Sequence, residues 1–222
     1  MRYRCLVLDH DDTVTDSTAH LHYPAFLAAM DALRPGFSVT LEEYFRLNYH
    51  PGFVPFCRDV LGFTEEEFRQ EYIIWQSFVN RRIPEVYPGM ARIIRRQKAE
   101  GGLLCVVSHS VDQAIRRDYA AASLPEPDLI YGWERPPEER KPSVFPLRDI
   151  MNRLGLKQEE MLMVDDLKPG ADMARECGVP FAAALWAHQI PEIHADMKKS
   201  CPVWFSSPEE LEIHQFGSLS PS

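Results

Sequence analysis

Hydrophobic positions along the chain fall into two kinds of pattern. The first is a set of short runs, apolar at successive positions, each cut off by polar residues. Cys5-Leu6-Val7-Leu8 ends at Asp9, Leu103-Leu104-Cys105-Val106-Val107 at Ser108, and Met161-Leu162-Met163-Val164 at Asp165. A further run over 181–186 follows Gly178-Val179-Pro180, and weaker ones lie at Leu129-Ile130-Tyr131 and Val203-Trp204-Phe205. Runs this short, without polar alternation, predict strands buried on both faces, as in a parallel sheet. The second pattern is helical. After Tyr87-Pro88-Gly89, apolar residues recur at Met90, Ile93 and Ile94 between basic ones, and Gly101-Gly102 stops the segment. Helices are also predicted over 111–122, with Ser110 or Asp112 near the start, over 145–154 closed by Gly155, and over 170–177 closed by Gly178. Strand and helix alternate, so the fold class is α/β, an open parallel sheet with crossover helices.

The stretch from about Thr15 to Arg82 interrupts this alternation. Helical patterns occupy roughly 22–33, 40–47 and 64–79, and Thr64 followed by Glu67 reads as a capping box. No buried strand is expected there. Residues 1–14 and 84–222 are therefore expected to form the α/β core domain, and 15–83 an inserted α-helical cap domain.

Composition narrows the class. The chain has 222 residues, 45% of them apolar, which is ample for a buried core. With 24 Lys and Arg against 33 Asp and Glu, the net charge is −9, so no nucleic-acid partner is expected. No apolar run approaches the roughly 20 residues that span a membrane, and the apolar stretch after Met1 is too short for a signal peptide. The five cysteines are odd in number and form no CxxC pair, which points to a reducing, cytoplasmic setting. A monomer or a homodimer is expected.

Open α/β sheets bind ligands at the carboxyl ends of their strands. Three strand ends here carry Asp9-His10-Asp11-Asp12-Thr13, Ser108-His109-Ser110 and Asp165-Asp166, while Lys141 precedes a helix in Arg140-Lys141-Pro142. Four converging carboxylates resist ionising together unless a cation joins them. A hard divalent ion, Mg²⁺, suits an oxygen-only site. Ser108-His109-Ser110-Asp112 also invites a serine-hydrolase reading, but no G-x-S-x-G elbow surrounds it, and adjacent Ser and His rarely meet in the needed geometry.

Together these residues resemble the haloacid dehalogenase-like hydrolase superfamily, in its phosphoglycolate phosphatase and β-phosphoglucomutase-like branch. The segment from Leu6 to Val14 is similar to its hydrophobic run and DxDGT; Val106-Val107-Ser108, Lys141-Pro142 and Met163 to Gly170 are similar to its other three motifs, in family order. The resemblance covers about residues 5–186. It implies a Rossmann-like parallel sheet sandwiched by helices, and a Mg²⁺-dependent phosphatase acting on a small phosphorylated metabolite. It further implies Asp9 as nucleophile and Asp11 as acid and base. Ser108, Lys141, His109 and Asp12 are implied at the phosphate. Asp9, Asp11 through its carbonyl, and Asp166 are implied as metal ligands, with Asp165 as ligand or support.

Two departures stand out. Asp12 occupies the usual glycine position, where Asp tolerates unusual backbone angles. His20 and His22 are out of register with the cap histidine common in relatives. Among other chemistries of the superfamily, dehalogenation is disfavoured because Asp11 is present, and Schiff-base cleavage because residues 14–86 contain no lysine. A β-phosphoglucomutase-like phosphotransferase and a site kept only for phosphate-ligand binding stand as alternatives.

Overall fold

All six apolar runs enter one parallel sheet in the computed structural model, which describes residues 1–219. The strands are β1 (Cys5–Leu8), β2 (Thr15–Asp16), β3 (Glu85–Val86), β4 (Leu103–Val107), β5 (Leu129–Tyr131), β6 (Met161–Asp165), β7 (Phe181–Ala184) and β8 (Trp204–Phe205). Their order in the sheet is β5-β4-β1-β6-β7-β8, with β2 and β3 in a separate two-stranded ribbon. The chain runs outward from β1 to β4 and β5 on one side, then returns to β6, β7 and β8 on the other. That reversal makes the carboxyl end of β1 a topological switch point, where crossovers diverge and leave a crevice.

Side-chain alternation divides the core into two layers. Leu6, Leu8, Leu104, Val106, Leu162 and Val164 face Met90, Ile93, Ile94, Ile115 and Tyr119. Cys5, Val7, Cys105, Val107, Met161 and Met163 face Leu147, Ile150, Met173 and Ala174. Strands β1, β4 and β6 are buried on both faces, which is why their sequences show no polar alternation. Register then sets the site. Leu8 lies opposite Val106 and Val164, so Asp9, Ser108 and the Asp165-Asp166 pair emerge at the same edge of the sheet.

Several elements differ from the sequence pattern. Strand β7 stops at Ala184, short of the predicted 186, and the helix before Gly178 begins at Lys168. The helix Asp112–Ala121 takes neither Ser110 nor Asp112 as its cap; the Asp112 N–H donates instead to Glu134 Oε2 at 2.9 Å. Helices Pro191–Ser200 and Pro208–Phe216 complete the carboxyl-terminal part. The ribbon pairs Thr15 with Val86 and Asp16 with Glu85, in a region where no strand was expected. Two residues are too few to show a period, and the pairing joins positions about 70 apart. The ribbon accounts for the division of the chain into Met1–Asp16 with Glu85–Ser222, and Ser17–Pro84.

The second unit is helical and aromatic. Helices Tyr23–Leu33, Leu41–Tyr49 and Glu65–Val79 enclose Phe26, Met30, Tyr44, Phe56 and Phe63. Phe26 and Tyr44 pack at a tilt of 33°, with ring centroids 4.9 Å apart. Both Thr40 with Glu43 and Thr64 with Glu67 form complete capping boxes, each satisfying otherwise orphaned N–H groups. Glu67 also pairs with Arg34, whose guanidinium lies over the Phe63 ring and donates to the Leu61 carbonyl. Among the described residues no helix is long and apolar enough to cross a membrane.

Candidate active site

Asp9 continues the line of β1 beyond its last assigned residue, its N–H donating to the Val164 carbonyl at 2.9 Å. Alternation turns its side chain toward the layer of Cys5 and Val7, where Lys141 reaches in from the loop before the helix Phe145–Leu154. The Lys141 ammonium donates to Asp9 Oδ1 at 3.0 Å and to Asp165 Oδ2 at 2.8 Å, with all three side chains no more than 5% exposed. Burial works against that ammonium. The two carboxylates outweigh burial and hold its pKa above the ordinary lysine range.

Asp165 is fully committed. Its second oxygen accepts the Leu167 N–H at 2.9 Å, at the start of the helix Lys168–Cys177. Gly170 in that first turn has to be glycine, because a Cβ there would stand 2.6 Å from Asp165 Cγ. The motif's glycine thus lets a helix amino terminus close on a carboxylate, a favourable arrangement for the helix dipole.

Asp166 is placed differently. It is buried, and its Oδ1 has no hydrogen-bond partner. Burial, then the neighbouring charges of Asp165, Asp9 and Asp12, push its carboxyl well above the usual range. Burial also raises Asp9, to about 7, against the pull of Lys141. Oxygens of Asp9, Asp165 and Asp166 lie within 4.8 Å of one another. One ammonium among three buried carboxylates leaves negative charge uncompensated. An orphaned carboxylate oxygen in an all-oxygen cluster fits a hard divalent cation.

Asp11 points elsewhere. Its Oδ2 accepts from Ser110 Oγ at 2.5 Å, so its carboxyl is not part of the acidic cluster. Ser108 is buried at the end of β4, its N–H bonded to the Tyr131 carbonyl and its Oγ accepting the Ser110 N–H at 3.1 Å. His109 is exposed, and its Nε2 lies 3.2 Å from the Lys141 carbonyl, where a ring N–H donates. Asp12 takes a left-handed backbone, φ 58°, and its N–H donates to the Thr15 carbonyl at 2.8 Å. Aspartate thus serves a left-handed turn that most side chains disfavour. That N–H is spent inside the turn, and the side chain has the same sign as a phosphate.

Some neighbours carried no signal in the sequence. Ser110 looked like a helix start and instead holds Asp11. Tyr87 was noted only for its proline and glycine; burial, then Asp12, Asp16 and Asp166, push its hydroxyl pKa upward. Trp186 packs against the core and also donates from Nε1 to the Thr13 carbonyl at 3.2 Å. Asp172, on the helix Lys168–Cys177, is exposed beside Arg175 and takes no part in the acidic cluster.

The chain as a whole has known relatives. The model of the family described as "Haloacid dehalogenase-like hydrolase" matches residues 6–184. The chain belongs to that family. This haloacid dehalogenase-like hydrolase is 26% identical over 200 residues to a phosphoglycolate phosphatase of Aquifex aeolicus, covering 85% of this chain and 90% of that one. Among solved structures, a predicted phosphoglycolate phosphatase from Haemophilus somnus superposes with a TM-score of 0.75 at 18% identity, over 97% of this chain and 99% of the other. CbbY from Rhodobacter sphaeroides in complex with xylulose-1,5-bisphosphate gives 0.71 at 19% identity, over 94% and 96%. The two structures share the fold. The family and the Aquifex relative make this hydrolase an enzyme of the phosphatase type, phosphoglycolate phosphatase-like in sequence.

Proposed function

We propose that the protein is a Mg²⁺-dependent phosphatase that hydrolyses a small phosphorylated metabolite through an aspartyl phosphate on Asp9. One observation carries this reading: Asp9 is anchored by a buried ammonium while Asp11, two residues on, is held apart by its own hydrogen bond. The first carboxylate is thereby a fixed nucleophile and the second a separate proton carrier.

Asp9 attacks phosphorus in line, forming an O–P bond as the ester O–P bond breaks. Asp11 gives its proton to the leaving oxygen, then accepts one from the water that attacks the aspartyl phosphate and frees Asp9. Ser108 Oγ–H and the His109 main-chain N–H hold phosphoryl oxygens, and Lys141 offsets the negative charge. Asp9, the Asp11 carbonyl and Asp166 would hold Mg²⁺, with Asp165 spent on Lys141. When bound, the ion screens the charge that nucleophile and phosphate share. The helical unit serves as a cap that selects the substrate. All five cysteines are free, which suits a reducing, cytoplasmic setting.

Hydrolysis of p-nitrophenyl phosphate with Mg²⁺, with EDTA and in Asp9→Asn tests the reading. Turnover is expected with Mg²⁺, lost in EDTA, and reduced by roughly 10³-fold or more in a folded Asp9→Asn. A variant as active as wild type would refute the nucleophile. Phosphate release into water, rather than transfer to a sugar phosphate, separates hydrolysis from mutase-like chemistry. Phosphoglycolate is the first natural substrate to try, because the Aquifex relative is named for it.

A further inference from the structure

Between the two aspartates of the nucleophile loop stands His10, which the proposed chemistry does not use. Strand alternation turns it away from Asp9, toward the layer of Leu6 and Leu8. There its ring is 1% exposed, and Nε2 meets Asp118 Oδ2 at 3.1 Å. Facing a carboxylate, that nitrogen is the donor. The ring stacks on Tyr119, with centroids 6.0 Å apart. The other Asp118 oxygen accepts from Arg117 Nε at 2.8 Å, and the guanidinium's Nη2 completes an ion pair with it at 2.6 Å. At its main-chain end, the His10 carbonyl accepts from the Val14 N–H at 2.9 Å, the Thr15 N–H at 3.0 Å and Thr15 Oγ1 at 3.2 Å. His10 is thus held at both ends.

Packing alone gives no reason for this pair. Position 10 adjoins an aliphatic layer, where an apolar side chain would avoid the desolvation of an imidazole and a carboxylate. The pair does have a reason as a tie. Beyond Asp9 the loop leaves the sheet ladder, and one chain segment then grips it twice: Ser110 at the Asp11 carboxyl, and Asp118 at the His10 ring. Asp9 and Asp11 flank the second grip directly.

We propose that His10 and Asp118 form a positioning pair that holds Asp9 and Asp11 in register for the chemical step. The inference rests on the phosphatase reading for its kinetic consequence. His10 exchanges no proton with substrate, since its ring lies on the opposite layer and Nε2 is spent on Asp118.

The test combines p-nitrophenyl phosphate kinetics in Mg²⁺, thermal melting, and hydrogen exchange over residues 9–15. His10→Phe keeps the aromatic stack and removes the tie. It is expected to stay folded at the assay temperature while melting below wild type, because Asp118 Oδ2 remains buried without its donor, to lose kcat by about 10²-fold with KM within about twofold, and to exchange faster across the loop. Asp118→Leu reads the same pair from the helix side if His10→Phe does not fold. Asp118→Asn keeps an acceptor oxygen and is expected to retain kcat within about threefold. Wild-type kcat in His10→Phe, or a loss in Asp118→Asn as deep as in Asp118→Leu, would overturn the pair. Unchanged loop exchange in both tie-removing variants would overturn it independently of activity. A wild-type protein that releases no phosphate would instead overturn the phosphatase reading, and the exchange measurement would still decide the tie.

Discussion

Asp9 in the sheet unit and Glu71 in the helical unit are both buried acids raised to about 7, yet for different reasons. Around Asp9, burial raises the carboxyl, Lys141 lowers it, and Asp165 and Asp11 raise it again. Around Glu71, burial acts nearly alone, opposed only by His22, whose Nδ1 accepts the Trp75 indole N–H at 3.0 Å. The first environment is a set of charges that a cation can reset; the second is loss of solvation, which it cannot. A raised acid therefore marks a working site only when its neighbours are charged and partly uncompensated.

The strongest way to break the comparison is to strip the sheet unit of its ammonium. Lys141→Met leaves Asp9 and Asp165 buried without their shared partner, and about 3–5 kcal/mol of stability should be lost above pH 7. Chemical denaturation checks this, and hydrolysis should vanish with it. Next comes the cation itself. At pH 8, Mg²⁺ at a hundred times its dissociation constant should stabilise the protein by about 2.7 kcal/mol, through linkage alone. Calorimetry should show that gain lost in Asp166→Ala, while Glu71→Gln keeps it.

Glu71→Gln sharpens the other half. Glu71 is held near 7 in the folded chain against an ordinary glutamate value of 4.5. Between those values the native state holds a proton that the unfolded chain lacks, so stability falls as pH rises through the window. The cost is complete above about pH 7, and Gln removes it. The variant should exceed wild type by about 2 kcal/mol at pH 8, with the advantage shrinking toward pH 5, as urea midpoints would show. The smallest effect is a local one in the same unit. Thr64→Ala, which opens the capping box with Glu67, should cost about 1 kcal/mol of stability and leave Mg²⁺ binding in the sheet unit unaffected.

How much of this was legible beforehand depended on the range of the interaction. The strands β1, β4 and β6 could be read because burial on both faces writes an unbroken apolar run. The Thr64 box needs residues only three apart, and Gly155 and Gly178 close helices in the left-handed conformation within one turn. Asp9, Ser108, Lys141, Asp165 and Asp166 could be selected because each stands at a strand end or in a motif. The β2–β3 ribbon left no trace, being two residues long. Ser110 read as a helix start, since nothing local reveals that its hydroxyl reaches back 99 residues to Asp11.

The unbroken apolar run of β1 was enough to predict which residues are buried, and motif order was enough to name the family. Neither could divide the acidic pair, because adjacent residues of the same type differ only in what folding brings to them. Lys141 and the Leu167 N–H occupy Asp165, while the Oδ1 of Asp166 is left without a partner. His10 shows the same limit. Sequence placed it between two candidate catalytic aspartates, and only the packing of the helix Asp112–Ala121 brought Asp118 to its ring. The period of a strand is a property of the chain, but the partner across a layer is set by how helices settle on the sheet.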